Sequence, residues 1–196
     1  LMSEEDKDKY GYIQYLCTPM CVFLGLEDSD MYGSRQYSEA MQIRYGGTLT
    51  PKFDTQEELF ELWLKELDEA IAFFSSHTQI TDQLGSQDII FKGDVNKWAK
   101  FTNSLKLKIA ARLLNVNRQR AIDIVNEAAQ NPAGLITSRE DDFIMNKGKE
   151  DNNFNNDVRY NNANEKWVNF MKKNRDPRLF YFYMKNDYNS NVIQAF

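Results

Sequence analysis

A repeated apolar stripe is the feature of this sequence that most limits how the chain can fold. Between residues 55 and 74, hydrophobic side chains recur every three or four positions and charged side chains occupy the positions between them. This spacing is typical of a helix with one buried face and predicts a helix from Thr55 to Phe74. Asp54 is its expected N-cap, and Glu57 completes a capping box. The side chains expected to face inward are Phe60, Trp63, Leu67, Ala70, Ile71 and Phe74.

Two more amphipathic helices follow at short intervals. Asp94 is the expected N-cap of a helix that ends near residue 114. Asn117 is the expected N-cap of the next helix, over residues 118–130. The first helix should bury five apolar side chains, Trp98, Phe101, Leu105, Ile109 and Leu113. Its exposed face should carry Lys97, Lys100, Lys106 and Lys108. The second helix should bury Ala121, Ile124, Val125 and Ala128. Because the turn near Asn115 is short, these two helices must pack antiparallel. The pattern predicts tetratricopeptide-like helical hairpins, although no repeat of fixed period is visible.

Less regular segments flank these helices. Residues 9–26 are aromatic and aliphatic, and predict a buried helix that Pro19 kinks or splits. Glycines at 33, 46 and 47 then indicate a long loop, from which Tyr37 should pack back against the helices. Near the end of the chain, we expect a helix over residues 164–173 and a strand over residues 178–185. The face of that helix would carry Trp167, Phe170 and Met171.

Composition argues against several classes of protein. The 24 basic and 29 acidic residues give a net charge of −5 with both signs interspersed, so no basic surface for nucleic acid is expected. No apolar run approaches the roughly 20 residues of a membrane-spanning helix. The acidic first residues do not resemble a secretory signal. If the full protein is a lipoprotein, its lipid anchor lies outside this chain and is its only expected contact with a membrane.

Metal centres and other cofactors are not expected either. Cys17 and Cys21 lie four residues apart, a spacing that is awkward for a disulfide, so we expect two free thiols in an apolar setting. His77 is the only histidine, and no Cys-x-x-Cys pair occurs, which argues against zinc. The acidic residues 140–142 lack the spaced oxygen ligands of a calcium loop and are expected on the solvated surface.

Six short segments occur in a fixed order along the chain. They are YG at 32–33, YSEA at 37–40, TPKFDTQEE at 50–58, GDVNKW at 93–98, NSLKL at 103–107 and DPRL at 176–179. Each segment alone is ordinary helix-start, turn or core chemistry. In this order they resemble the SusD-like (SusD/RagB) family of outer-membrane nutrient-binding lipoproteins, and the chain looks like a central fragment of such a protein.

The resemblance implies both a fold and a function. It implies a mainly α fold of tetratricopeptide-like hairpins with long loops, here a single domain over residues 1–196. Family members are surface lipoproteins of the outer membrane that bind oligosaccharides, or less often peptides, and present them to a TonB-dependent, SusC-like transporter. They are not enzymes and carry no cofactor. An alternative that shares the fold is a helical-repeat adaptor that binds a peptide or protein partner.

The candidate ligand-binding residues lie in the asparagine-rich segment 151–164. Tyrosine offers a face on which a sugar ring stacks, and amide and guanidinium groups donate hydrogen bonds to hydroxyls. The residues selected are Phe154, Arg159, Tyr160, Asn161 and Asn162. The competing interpretation is a solvated loop without a ligand.

Other polar and aromatic residues have structural interpretations that compete with ligand binding. Trp63, Trp98 and Trp167 lie on helix stripes and are expected in the core. Asn103 and Ser104 are expected to tie their helix to a neighbouring loop. The Asp176–Arg178 segment is expected to form a turn held by a local ion pair, and not to supply a catalytic carboxylate.

Overall fold

The structure, a computed structural model, describes residues 10–77, 85, 87–144 and 164–179 of the chain. Its helices are α1 Tyr12–Tyr32, α2 Gln56–Ser76, α3 Val95–Leu113, α4 Arg118–Gln130 and α5 Glu165–Lys173, with 3-10 turns at Gln42–Tyr45 and Arg139–Asp141. Within these ranges no strand occurs, and the extended pairing is one antiparallel bridge between Arg35 and Asp54. The mainly α fold class is therefore confirmed. Residues 180–185 of the expected strand lie outside the described residues.

The chain divides into two compact units, Leu1–Asn146 with α1 to α4 and Lys147–Phe196 with α5. The single domain expected over residues 1–196 stays a prediction. In the first unit, α3 packs against α1, α2 and α4, and α1 also packs against α2. No helix in the described part of the chain is long and apolar enough to cross a membrane.

The core of the first unit is built around α2 and α3. All six side chains expected to face inward from α2 are buried, as are Trp98, Phe101, Leu105 and Ile109 of α3. Trp63 is fully buried and lies so close to α1 that a Cβ added at Gly25 would stand 2.8 Å from its ring. The core role expected of Trp63 and Trp98 is therefore confirmed. The spacing of apolar residues in the sequence correctly predicted the buried face of α2 and these four core residues of α3.

The first helix is longer and less buried than expected. It runs without interruption through Pro19 as far as Tyr32, six residues past the predicted end. Its buried residues are Pro19, Val22, Gly25, Leu26 and Ser29, whereas Ile13, Leu24 and both cysteines are exposed. The thiols are free, as predicted, but they lie on the solvent side, because α1 meets the other helices along one face only.

The N-cap of α2 is Thr55 and not Asp54, so this part of the prediction was wrong. The Thr55 hydroxyl accepts a hydrogen bond from the Glu58 N–H at 3.3 Å, and the Glu58 carboxylate accepts one from the Thr55 N–H at 2.7 Å. This is a complete capping box shifted by one residue from the expected pair. The shift occurs because the Asp54 carboxylate faces the preceding loop instead of the helix.

The loop before α2 is organised around that carboxylate, which is fully buried. Asp54 Oδ2 accepts hydrogen bonds from the N–H groups of Tyr37 at 3.0 Å and Ser38 at 2.7 Å. Oδ1 accepts one from the Ser38 hydroxyl at 2.6 Å and pairs with Lys52 at 3.1 Å. Burial by itself would raise the pKa of Asp54, but the hydrogen bonds from Ser38, Lys52 and Tyr37 outweigh it and lower the pKa to about 2.

Backbone and aromatic contacts hold the same loop against α2. Arg35 and Asp54 exchange two backbone hydrogen bonds of 3.1 and 2.9 Å. The ring of Tyr37 meets Trp63 edge-on, with 5.7 Å between ring centroids, and its hydroxyl donates to Glu66 at 2.5 Å. Burial, together with this bond, raises the pKa of Tyr37 above its ordinary value. The predicted packing of Tyr37 against the helices is confirmed.

A second buried carboxylate, Asp88, organises the chain before α3. It accepts hydrogen bonds from the N–H groups of Ile90, Phe91 and Gly93 and from the Trp98 indole, at 2.8 to 3.1 Å. Burial opposes ionisation, yet these bonds lower the pKa of Asp88 overall. Asp94 then caps α3 as predicted, by accepting from the N–H groups of the next turn.

The α3–α4 hairpin is tied by polar groups in the manner expected. The Asn103 amide donates to the carbonyls of Ala128 at 2.9 Å and Gly134 at 2.8 Å. The Ser104 hydroxyl accepts from the Ile136 N–H at 2.9 Å. These bonds fix the segment that follows α4 against α3, so the structural roles predicted for Asn103 and Ser104 are confirmed.

Two predictions about the faces of this hairpin were wrong. Lys106 is only 3% exposed, because its aliphatic chain lies between helices and its amino group reaches Asp68 at 2.7 Å. Val125 is 44% exposed, because α4 buries only the narrow stripe of Ala121, Ile124 and Ala128. A hydrophobic period alone does not tell how wide a stripe the neighbouring helix covers.

The acidic residues 140–142 also differ from expectation. Asp141 is buried and pairs with Lys100 at 2.8 Å, so it does not belong to the solvated surface. The hydrogen bond from Lys100 keeps the pKa of Asp141 below its ordinary value. Within the ranges that the structure describes, no group of three His, Cys, Asp or Glu side chains could hold a metal ion.

In the second unit, α5 begins at Asn164 as its N-cap, and Met171 is its buried residue. Trp167 is 45% exposed and stacks on Phe170 at 5.6 Å, so the core role expected of Trp167 was wrong. The turn at Asp176 is confirmed, because its carboxylate accepts hydrogen bonds from the Arg178 N–H at 2.9 Å and from the guanidinium.

Removing the Asn103 amide should destabilise the first unit. In Asn103→Ala the carbonyls of Ala128 and Gly134 lose a buried donor, which costs about 2 kcal/mol of unfolding free energy. Urea unfolding followed by circular dichroism measures this loss. The matched control is Asn126→Ala, an exposed position on α4, which should change the free energy by less than about 0.5 kcal/mol. Equal effects at the two positions would contradict the role given to Asn103.

Replacing the buried carboxylate with an amide, in Asp54→Asn, should lower the unfolding free energy at neutral pH by about 2–3 kcal/mol. The amide cannot accept all the hydrogen bonds that the two oxygens now receive. Because the folded pKa of about 2 lies below the ordinary value, the carboxylate stabilises the fold above pH 4 or so. This contribution is lost as the pH falls through the folded pKa.

The difference between wild type and Asp54→Asn should therefore narrow as the pH falls from about 4 toward 2. Urea titrations at a series of pH values measure it. Asp142→Ala removes an exposed carboxylate and serves as the control, with an expected change below about 0.5 kcal/mol at neutral pH. A gap that stays constant or widens in acid would show that the ionised Asp54 is not what stabilises the loop.

Candidate functional site

The residues selected from the sequence as ligand contacts cannot be placed. Phe154, Arg159, Tyr160, Asn161 and Asn162 all lie outside the described residues. Their role as a binding segment stays a prediction.

The described residues offer a different candidate, a depression of about 500 Å³ on the surface of the first unit. It lies where α1 ends and the loop toward α2 begins. Its lining residues are Asp28, Tyr32, Ser34, Arg35, Gln36 and Phe53. Its volume falls within the range of small-molecule sites in proteins.

Local backbone geometry explains why these side chains meet. Tyr32 is the last residue of α1, and Gly33, with φ of 73°, turns the chain out of the helix. A side chain at position 33 would be strained in this left-handed region. Two residues later, Arg35 forms the bridge with Asp54, which brings Phe53 alongside the end of α1.

The direction of the Phe53 ring follows from the burial of its neighbour. Successive side chains of an extended segment point to opposite sides. The Asp54 side chain points into the protein, where it is fully buried, so the Phe53 ring points outward and is 66% exposed. Tyr32, which also lines the depression, is 75% exposed. The depression therefore presents two aromatic rings to solvent.

The polar side chains that line the depression carry no net charge. Arg35 Nη1 donates to Asp28 Oδ2 at 2.8 Å, and both side chains remain partly accessible. The Gln36 amide donates to the Pro51 carbonyl at 2.7 Å, which fixes its position. Of the lining residues only Asp28 and Arg35 carry charge, so their charges cancel. An exposed ion pair of this kind adds little to stability.

The chemistry available in the depression is that of binding. Aromatic faces offer flat apolar surfaces, and the carboxylate, guanidinium and amide offer acceptors and donors for hydroxyl groups. The sequence does not mark this site, because positions 32–33 and 50–58 match ordinary turn and helix-start motifs. The alternation of Phe53 with Asp54 is the signal that could have revealed it, once Asp54 was known to be buried.

Solved structures of SusD homologues resemble this fold. One from Bacteroides uniformis ATCC 8492 is 33% identical, with a TM-score of 0.66, over 75% of this chain and 30% of that chain. A chitin-binding SusD homologue from Flavobacterium johnsoniae is 26% identical, with a TM-score of 0.62, over 70% of this chain and 28% of that one. One from Bacteroides vulgatus ATCC 8482 is 23% identical, with a TM-score of 0.75, over 89% of this chain and 35% of that one. At this level of identity, the likeness shows a shared fold only.

The chain thus spans about a third of the length of these solved relatives, 28–35%. No curated protein matches it. The family model of SusD-like proteins, described as starch-binding and associating with the outer membrane, matches residues 8–196. Since that match covers nearly the whole chain, this protein belongs to the SusD-like family.

Proposed function

We propose that this chain is part of a glycan-binding protein of the cell surface that delivers oligosaccharides to a TonB-dependent, SusC-like transporter. The observation that carries the proposal is the match of residues 8–196 to a family described as starch-binding and associating with the outer membrane. The likeness to a chitin-binding SusD homologue supports the same ligand class. In this proposal the whole protein is a surface-exposed lipoprotein of the outer membrane.

Binding without catalysis fits the state of the carboxylates. A typical glycosidase needs two carboxyl groups at the sugar, one of them with a raised pKa that lets it donate a proton. Asp54 and Asp88 have lowered pKa values and are occupied by hydrogen bonds from the protein itself. Burial raises the pKa of Glu66, but its carboxylate is engaged by the Tyr37 hydroxyl. Each of these three carboxylates is thus engaged by hydrogen bonds within the protein.

Stacking and hydroxyl hydrogen bonds on an open surface give modest affinity. The ligand loses translational and rotational freedom on binding, but an open site contacts only part of its surface. Only part of the contact energy therefore contributes to the binding free energy. We expect dissociation constants between about 1 mM and 1 μM, that is, binding free energies of about −4 to −8 kcal/mol. Weak binding also suits a protein that must pass its ligand on.

Isothermal titration against a panel of uncharged oligosaccharides tests the binding function. The panel includes maltoheptaose, chitohexaose and xylohexaose, and the expected result is saturable binding to at least one of them in the range given above. A panel of short peptides serves as the comparison. Saturation by peptides with no heat from any glycan would overturn the proposal and favour a helical adaptor.

Delivery to a transporter is tested separately from binding. An affinity-tagged copy of the full-length protein, expressed in its own host, should purify from detergent-solubilised outer membranes together with a TonB-dependent transporter. The expected result is one such transporter in stoichiometric amount. Recovery of the protein without any transporter, in a preparation where it still binds glycan, would overturn the delivery step alone.

A further inference from the structure

The depression at the end of α1 has features suited to binding a flat, hydroxylated ligand. Tyr32 and Phe53 leave 75% and 66% of their surface accessible, although each could bury a large apolar area. Tyr32 ends α1, and Phe53 lies in the loop beside Asp54, which the bridge to Arg35 and the bonds of the carboxylate hold in place.

The rings are presented from a backbone that is already ordered. The bridge between Arg35 and Asp54 fixes the residues next to Phe53, and the Gln36 amide is bonded to the Pro51 carbonyl. Below Tyr32, the Gln56 amide donates to the Ser29 carbonyl at 3.2 Å, which ties the end of α1 to the start of α2. A ligand that binds such a surface has little protein ordering to compensate, which favours affinity from a few contacts.

The polar groups define the class of ligand. The Asp28 carboxylate accepts hydrogen bonds and the Arg35 guanidinium donates them, and a sugar hydroxyl both donates and accepts. Because the two charges lie 2.8 Å apart and cancel, an anionic ligand would meet the Asp28 carboxylate beside the guanidinium. The site therefore favours an uncharged ligand over a uronate or a sugar phosphate.

We propose that this depression is a contact site for uncharged oligosaccharides, in which Tyr32 and Phe53 stack on sugar rings while Asp28 and Arg35 bind hydroxyl groups. The proposal rests on the glycan-binding function proposed above and gives it a place in the chain. Its lining residues are different from those selected from the sequence, Phe154, Arg159, Tyr160, Asn161 and Asn162. The volume of about 500 Å³ and the open rim accommodate a few sugar units of a longer chain.

Alanine variants of the two rings test the site in titrations with the oligosaccharide that the wild type binds best. Tyr32→Ala and Phe53→Ala should each weaken the dissociation constant about 5- to 30-fold, as expected for aromatic anchors. Tyr32→Phe keeps the stacking face and should stay within about threefold of wild type. Tyr45→Ala is the matched control, since Tyr45 is 74% exposed on the same loop and outside the depression. It should change binding by less than about twofold.

Footprinting with a carbene reagent supplies a readout that does not depend on variants folding normally. Adding saturating oligosaccharide to the wild-type chain should protect Tyr32 and Phe53 from labelling and leave Tyr45 unchanged. Raising the salt to about 0.5 M NaCl should leave the affinity unaltered, because an uncharged ligand gains nothing from a screened charge.

The possible outcomes separate this inference from the function on which it rests. Glycan binding that persists unchanged in both alanine variants, with no protection of Tyr32 or Phe53, overturns the site and leaves the function standing. Absence of binding to every oligosaccharide of the panel overturns both. Tighter binding of oligogalacturonate than of any uncharged oligosaccharide overturns the assignment of ligand class.

Discussion

The buried carboxylate of Asp54 is the constraint on which the presentation of the candidate site depends. It accepts hydrogen bonds from the N–H groups of Tyr37 and Ser38 and from the Ser38 hydroxyl, and these bonds anchor a stretch of loop that has no regular structure. A buried charge is tolerated only when its hydrogen-bonding capacity is satisfied in this way. With Asp54 turned inward, the adjacent Phe53 is turned outward, and the depression next to α1 follows from that alternation.

The same device occurs before α3, which suggests a general way in which this fold orders its loops. Asp88 accepts three backbone N–H groups and the indole of Trp98, and a separate residue, Asp94, then caps the helix. In each case one carboxylate organises the approach to a helix and a different residue begins it. Helices packed by their apolar stripes thus support loops whose conformation is set by polar bonds. Because polar bonds hold the loop, aromatic side chains such as Phe53 can face solvent.

Sequence patterns predicted the helices well because capping and periodicity are local. Asn117 and Asp94 begin their helices as expected, and the apolar stripe of α2 is buried in full. The error at Asp54 arose because both Asp54 and Thr55 are suitable caps, and only the distant partners at 37–38 decide between them. Lys106 was misplaced for a similar reason, since its burial depends on where α2 and α4 lie. Local sequence determines where a helix forms, whereas the burial and bonding of its side chains depend on residues distant in sequence.

The candidate site was the least predictable part for the same reason. No motif marks Tyr32 or Phe53 as exposed, and the bridge that helps to bring them into one depression joins positions 35 and 54, which are distant in sequence. The most direct test is a crystal structure of the chain with a bound oligosaccharide from the panel. Our prediction is that sugar rings lie against Tyr32 and Phe53, with the bonds of Asp54 to residues 37 and 38 intact. A sugar bound elsewhere with the depression empty, or a loop in which Asp54 faces solvent, would contradict it.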